Sequence, residues 1–220
     1  MIFRPTLRIQ SWGFVIGALL FAIPSIQPIA KAMGSQGANI TFFVGSWFFT
    51  GAGLIQLILA GSPMVPYRGG KALSAAWTVA FTQTIGTLLF NVSTGYAIHP
   101  ANVAVEKHLV WTPDATGSVA FLVSGSVAML AIVRSGELWT LRTKDSFSTW
   151  TNLGGCIAFG FSAIGAFVLD DGASIDSVLA NIGTLIGAIF FILASILFLG
   201  PRYGARGDQV DDHPKVPDWK

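Results

Sequence analysis

The sequence predicts an all-α integral membrane protein with six transmembrane helices, arranged as three parallel two-helix hairpin repeats. Three observations predict it. The chain is 52% hydrophobic and only 11% charged, whereas ordinary soluble domains carry about 25% charged residues. The deficit is concentrated in six windows without Asp, Glu, Lys, Arg or His: Ser11–Ala30, Ile40–Ala60, Ala75–Ile98, Gly117–Val133, Trp150–Leu169 and Val178–Gly200. A helix needs roughly 20 apolar residues to cross a hydrocarbon core of about 30 Å. Five windows reach that length, and Gly117–Val133 lies at the short end. Lipid offers backbone groups no water, so spans must be helices or closed barrels. Long apolar runs without alternation read as helices.

The second observation is a repeat. Ile16-Gly17-Ala18-Leu19-Leu20-Phe21 returns 69 residues later as Ile85-Gly86-Thr87-Leu88-Leu89-Phe90. A looser copy, Gly155-Cys156-Ile157-Ala158-Phe159, follows at the same interval. Trp12, Phe81 and Trp150 stand five positions before the three glycines. A fixed period of this kind marks a repeated supersecondary unit. The third observation is charge asymmetry. Arg4, Arg8, Arg68, Lys71, Arg134, Arg142, Lys144, Arg202, Arg206, Lys215 and Lys220 fall on one side of the expected spans, and only Lys31 and Lys107 on the other. By the positive-inside rule both termini face the cytoplasm, as an even number of spans requires.

In chain order, the six-span domain covers residues 1–200, with hairpins at about 9–61, 72–134 and 146–200, and residues 201–220 form a polar tail. The first span is expected to bend near Pro24 and Pro28, which remove backbone donors. Spans two and six share Asn39-Ile40-x4-Gly45-Ser46-x-Phe48-Phe49 and Asn181-Ile182-x4-Gly187-Ala188-x-Phe190-Phe191. In span four the degenerate copy is expected around Phe121–Ser126. Arg68-Gly69-Gly70-Lys71 reads as a basic turn, and His99–Asp114 as an external loop on the outer surface. Asp170–Asp176 reads as an acidic turn at a helix start. Trp12, Trp77 and Trp150 stand near span starts, as interface anchors do.

Small residues let helices approach closely in lipid, where apolar burial between helices gains little. Gly13 with Gly17, and Gly183 with Gly187, form GxxxG pairs, and Gly86 and Gly155 each follow a threonine at the same spacing. All six glycines are expected to serve packing. The most polar membrane face carries Gln83, Thr87 and Asn91 at helical spacing. Such a stripe either bonds neighbouring helices or lines a solute path. Asn152, Asn181 and Gln56 read as caps or interhelical contacts.

No ionisable residue falls in any window, which argues against proton- or ion-coupled transport. His99, His108 and His213 lie outside the windows, so a membrane haem has no ligands. His99, Glu106 and His108 match no zinc spacing and read as solvated. The single cysteine, Cys156, permits no intrachain disulfide. Catalytic residues, metal ligands, cofactors and nucleic-acid partners are not expected. The run Phe42-Phe43-Val44-Gly45-Ser46-x-Phe48-Phe49 resembles YrhK-like bacterial membrane proteins over about one hairpin. That resemblance implies a bacterial membrane protein and carries over no activity and no site residue. The expectation is a non-enzymatic, multi-pass protein of the plasma (inner) membrane, an accessory or scaffolding subunit of a larger assembly or a homo-oligomer. Its partners are then the lipid bilayer and protein subunits or further copies of itself. The alternative is a small transporter or channel for a neutral or lipidic solute, lined by Gln83, Thr87 and Asn91.

Overall fold

The computed structural model describes residues 4–67, 70–136 and 144–199. The expected tail at 201–220, and Arg68, Gly69 and Arg142 of the basic connections, lie outside the described residues. Six long helices dominate: α1 (Leu7–Ser25), α2 (Gln27–Leu59), α3 (Ala75–Ala97), α4 (Thr112–Ser135), α5 (Lys144–Gly165) and α6 (Ser177–Ile196). Each packs on its neighbour in sequence, and α1 also packs on α6, so the helices close into a ring.

Among the described residues, four helical runs are long and apolar enough to cross a membrane: Leu7–Ser25, Gln27–Leu59, Val103–Ser135 and Ser177–Ile196. Helices α3 and α5 have comparable length, at 23 and 22 residues, but a more polar composition. Much of that polarity is absorbed by their own backbones. Thr78, Thr82, Thr84 and Thr94 each donate to the carbonyl four residues earlier, at 2.6–2.9 Å. Thr149 and Thr151 do the same on α5 at 2.9 Å. A hydroxyl bonded in this way hides its donor within its own helix.

Helix ends follow ordinary capping chemistry. Thr6, Ser74 and Asp176 accept hydrogen bonds from first-turn amides of α1, α3 and α6. Gly136 ends α4 in the left-handed region, at φ 76°, a conformation glycine adopts without a Cβ penalty.

Three features differ from the sequence expectations. The prolines break the first helical run rather than bend it. Ile26 leaves helical geometry at φ −85°, ψ 108°, and α2 starts immediately with Pro28 in its first turn. A second kink follows at Gly34, with φ 71° and ψ 164°. The basic connection is a β-hairpin: β1 (Met64–Tyr67) pairs antiparallel with β2 (Gly70–Leu73), placing Gly70 and Lys71 in a strand. The chain is therefore not purely helical. The segment expected as an external loop is also wound: a helical turn Val103–Val105 and a π-helical stretch Glu106–Trp111 run directly into α4. Asp114 consequently sits in the first turn of α4, partly buried. Windows defined by the absence of charge could not include it, yet it falls within the apolar helical run Val103–Ser135.

Candidate functional site

The interior is built from one contact made three times. A methyl group placed on Gly17 would come within 2.8 Å of the Phe49 ring and 3.0 Å of Gly45 O. On Gly86 it would meet Phe121 at 2.7 Å and Gly117 O at 2.9 Å. On Gly155 it would meet Phe191 at 2.5 Å and Gly187 O at 3.2 Å. The contact is reciprocal. Gly45, Gly117 and Gly187 press on Phe21, Phe90 and Phe159. Each helix therefore offers Gly-x3-Phe, and the glycine of one receives the phenylalanine of its partner. Gly13 and Gly183 make equally close approaches, to Ala52 Cβ at 2.9 Å and Ser162 N at 2.7 Å.

The span-four copy thus begins at Gly117, not at Phe121 as the sequence register implied. Trp111 occupies the place that Asn39 and Asn181 hold in α2 and α6, six residues before the glycine. Its indole Nε1 donates to Ala163 O at 2.8 Å.

The six phenylalanines converge. Phe21, Phe49, Phe90, Phe121, Phe159 and Phe191 are all at most 4% exposed. Phe90 and Phe121 meet edge-on at 4.9 Å between centroids, and Phe159 and Phe191 at 5.2 Å. Further ring pairs link the hairpins, including Phe21–Phe90, Phe49–Phe191 and Phe121–Phe159. Edge-to-face pairs each contribute about 0.5–1.5 kcal/mol beyond burial. Together these rings fill the middle of the bundle.

The polar stripe of α3 is divided by this plug. Thr87 is fully buried and donates to Thr84 O at 2.8 Å. Asn91 accepts at Oδ1 from Thr50 Oγ1 of α2 at 2.9 Å and donates from Nδ2 to Ser46 O at 2.9 Å, while Thr94 Oγ1 lies 3.1 Å from Ser46 Oγ. Thr87 and Asn91 are thus packing residues. Gln83, 4% exposed, lies on the other side of the plug, where its Oε1 accepts from Ser124 Oγ at 3.2 Å.

Beside Gln83 is a cavity of about 150 Å³, open at the end of the bundle where α1, α3 and α5 begin. All six helices reach it. Its lining repeats the sequence period: Gln10, Val79 and Ser148 stand 69 residues apart, as do Phe14, Gln83 and Asn152. Gln56, Ala128 and Phe198 each stand eleven residues after the paired glycines of α2, α4 and α6. Phe14 and Phe191 form apolar wall, and Gln56 Oε1 is buried without a hydrogen-bond partner among the described residues. The sequence reads Gln56 as a cap or interhelical contact near an interface, and this convergence is not visible in it. The signal available was the 69-residue period, which puts Gln83 and Asn152 at equivalent positions.

The remaining candidates serve structure. Asn39 Nδ2 donates to Ala97 O at 2.6 Å, and Asn181 Nδ2 to Ser177 O at 2.8 Å. His99 pairs with Gln36 at 2.7 Å. No group of three His, Cys, Asp or Glu side chains suited to a metal ion occurs among the described residues. In the acidic turn, Asp176 accepts from Val178 N and Leu179 N, and Asp171 accepts from Ala173 N. Lys107 donates to Asp170, and this bonded ammonium holds the exposed carboxyl below the ordinary carboxylate range.

No protein-family model matches this chain, and neither a curated protein nor a solved structure matches it.

Outside, the ring is apolar. Ile58, Ile164, Val119, Phe161 and Trp47 are all more than half exposed. A lateral groove of about 400 Å³ runs between α4 and α5, walled by Trp111, Val119, Leu122, Ile157, Phe161 and Ile164. All six glycines singled out in the sequence are used inside the chain, so no row of them is left over for a partner.

Proposed function

We propose that this chain is a bacterial inner-membrane protein of three parallel hairpins, with both termini cytoplasmic. In this reading it is a non-enzymatic accessory or scaffolding subunit of a membrane assembly or homo-oligomer. The membrane reading is supported by the arrangement of apolar residues. Large aliphatic and aromatic side chains point outward, while glycine, alanine, serine and phenylalanine fill the interior. Monomeric soluble proteins rarely carry such continuous apolar surface. In lipid the same surface costs nothing, and small interior residues provide the close packing that association in lipid requires.

The observation that carries the accessory reading is the phenylalanine plug. A bundle whose axis is filled by rings acts through its outer surface. With the glycine rows occupied, contacts to partners fall on exposed side chains such as Trp47, Phe161 and Ile164. The test is extraction in mild detergent followed by native mass measurement. The expected particle contains more than one copy of the chain or a second protein. A strictly monomeric particle with no co-purifying protein contradicts the reading.

Conduction of a neutral or lipidic solute is the second reading. The cavity beside Gln83 favours it, and the plug opposes it in this conformation. Flux of a neutral solute through proteoliposomes, with Phe90→Ala raising the rate, would favour it over the accessory role.

A further inference from the structure

We infer that the cavity beside Gln83 is a binding site for a small uncharged molecule that pairs an apolar, preferably aromatic, body with amide- or hydroxyl-type hydrogen-bonding groups. This goes beyond the accessory role and needs no conduction, because the plug closes the inner end of the site.

Three observations carry it. The first is unsatisfied polarity. Gln56 Oε1 is buried and has no hydrogen-bond partner among the described residues, and such a group is destabilising until something bonds it. Gln83 is almost as exacting. Ser124 Oγ, with one proton to give, lies 3.0 Å from Val79 O and 3.2 Å from Gln83 Oε1. Its nearer acceptor is the carbonyl, so Gln83 shares a donor that is already engaged. The Gln83 amide nitrogen makes no hydrogen bond among the described residues. One buried amide oxygen, on Gln56, and one accessible amide nitrogen, on Gln83, therefore border the cavity with bonding capacity unused.

The second observation is what the other polar groups do. Ser11, Ser148 and Thr149 donate to the carbonyls of Leu7, Ala194 and Asp145 at 2.8–2.9 Å. These three hydroxyls are committed to backbone, which leaves the amides, with the Ser195 hydroxyl, as the groups that select a ligand.

The third is the balance of charge and shape. Among the described residues the lining contains no Asp, Glu, Lys, Arg or His. An ion entering would lose hydration without gaining a counter-charge, a cost of several kcal/mol. Phe14 and Phe191 offer ring faces and edges to an apolar body. A volume of about 150 Å³ would otherwise hold roughly five waters at about 30 Å³ each.

The probe is benzamide, with benzoate and benzamidine as anionic and cationic analogues of nearly the same shape. The full chain is held in lipid nanodiscs, and binding is followed by saturation-transfer NMR against empty discs. Benzamide is expected to bind the parent and the outward-facing control Leu88→Ala equally. Gln83→Leu should weaken it about tenfold, the equivalent of losing one buried hydrogen-bond partner. Ala128→Leu, which fills the cavity from α4 and leaves Gln83 intact, should weaken it at least as much. The two charged analogues should show no saturable binding. Absence of benzamide binding to the parent overturns the proposal. So does binding that survives in Ala128→Leu, or binding of either charged analogue as strong as that of benzamide. If Gln83→Leu fails to fold, Ala128→Leu alone decides between these outcomes.

Discussion

Gly86 and Phe121 are in contact so close that no side chain fits between them: a methyl on Gly86 would lie 2.7 Å from the ring and 2.9 Å from Gly117 O. Replacing Gly86 by leucine must therefore separate α3 from α4. Overpacking of this kind costs about 3 kcal/mol, and here a backbone carbonyl and a ring packed against Phe90, Phe159 and Phe191 both resist. Leu88, by contrast, is 47% exposed on the outer face. Leu88→Ala should cost less than about 1 kcal/mol. Thermal melting in detergent compares the two, and Gly86→Leu is expected to melt far below Leu88→Ala.

The same comparison at Gly155 is expected to be at least as severe. Its methyl would meet Phe191 at 2.5 Å, the tightest of the three equivalent contacts. Although its sequence copy is the loosest, Gly155→Leu should melt no higher than Gly86→Leu.

Phe90 touches Phe21, Phe121 and Phe159 and is 1% exposed. Truncating it to alanine leaves a hole at the centre of the plug, costing about 3–5 kcal/mol. Phe90→Leu retains most of the volume and should cost less than half as much. Melting of both variants checks the order. Equal stability of Phe90→Ala and the parent would mean that the six rings are not mutually supporting.

Asp176 accepts two amide hydrogen bonds at 2.9–3.0 Å at the start of α6. Asp176→Ala should cost about 1 kcal/mol, and Asp176→Asn should recover most of that, because asparagine caps nearly as well. Hydrogen exchange at Val178 and Leu179 gives a local readout, with faster exchange expected in the alanine variant only.

How much of this was readable in the sequence depends on the range of the interactions involved. The glycine contacts were legible because close packing in lipid demands small residues at fixed spacing, and Gly17, Gly86 and Gly155 keep that spacing through the chain. The cap at Asp176 was legible because capping is local. The register of α4 was not. An unusually long, π-wound lead from Glu106 to Trp111 displaces Gly117 from its expected place. The hairpin at Met64–Leu73 was hidden because Arg68, Gly69, Gly70 and Lys71 suit a turn as well as a strand pair. The cavity was least legible of all. It requires side chains from all six helices to meet, and Gln83 alone does not reveal that Gln56 and Asn152 face it. The stripe Gln83, Thr87 and Asn91 looked continuous along α3, yet Phe90 and its partners divide it.

Cys156 is 1% exposed, packed at the start of the plug. A maleimide reagent is therefore expected to leave it unlabelled in the folded protein and to label it fully after denaturation in detergent and urea. Labelling of the native fold would indicate that α5 opens toward its neighbours.

The central claim is that these helices cross a membrane with both ends on the cytoplasmic side, and cysteine accessibility in intact cells tests it most directly. With Cys156 replaced by alanine, single cysteines are placed at Asn102, which caps the turn before α4, and at Gly207 in the C-terminal segment. A membrane-impermeant maleimide added outside should label Asn102→Cys at once, and Gly207→Cys only after the cells are opened. Labelling of both positions from the same side contradicts the account.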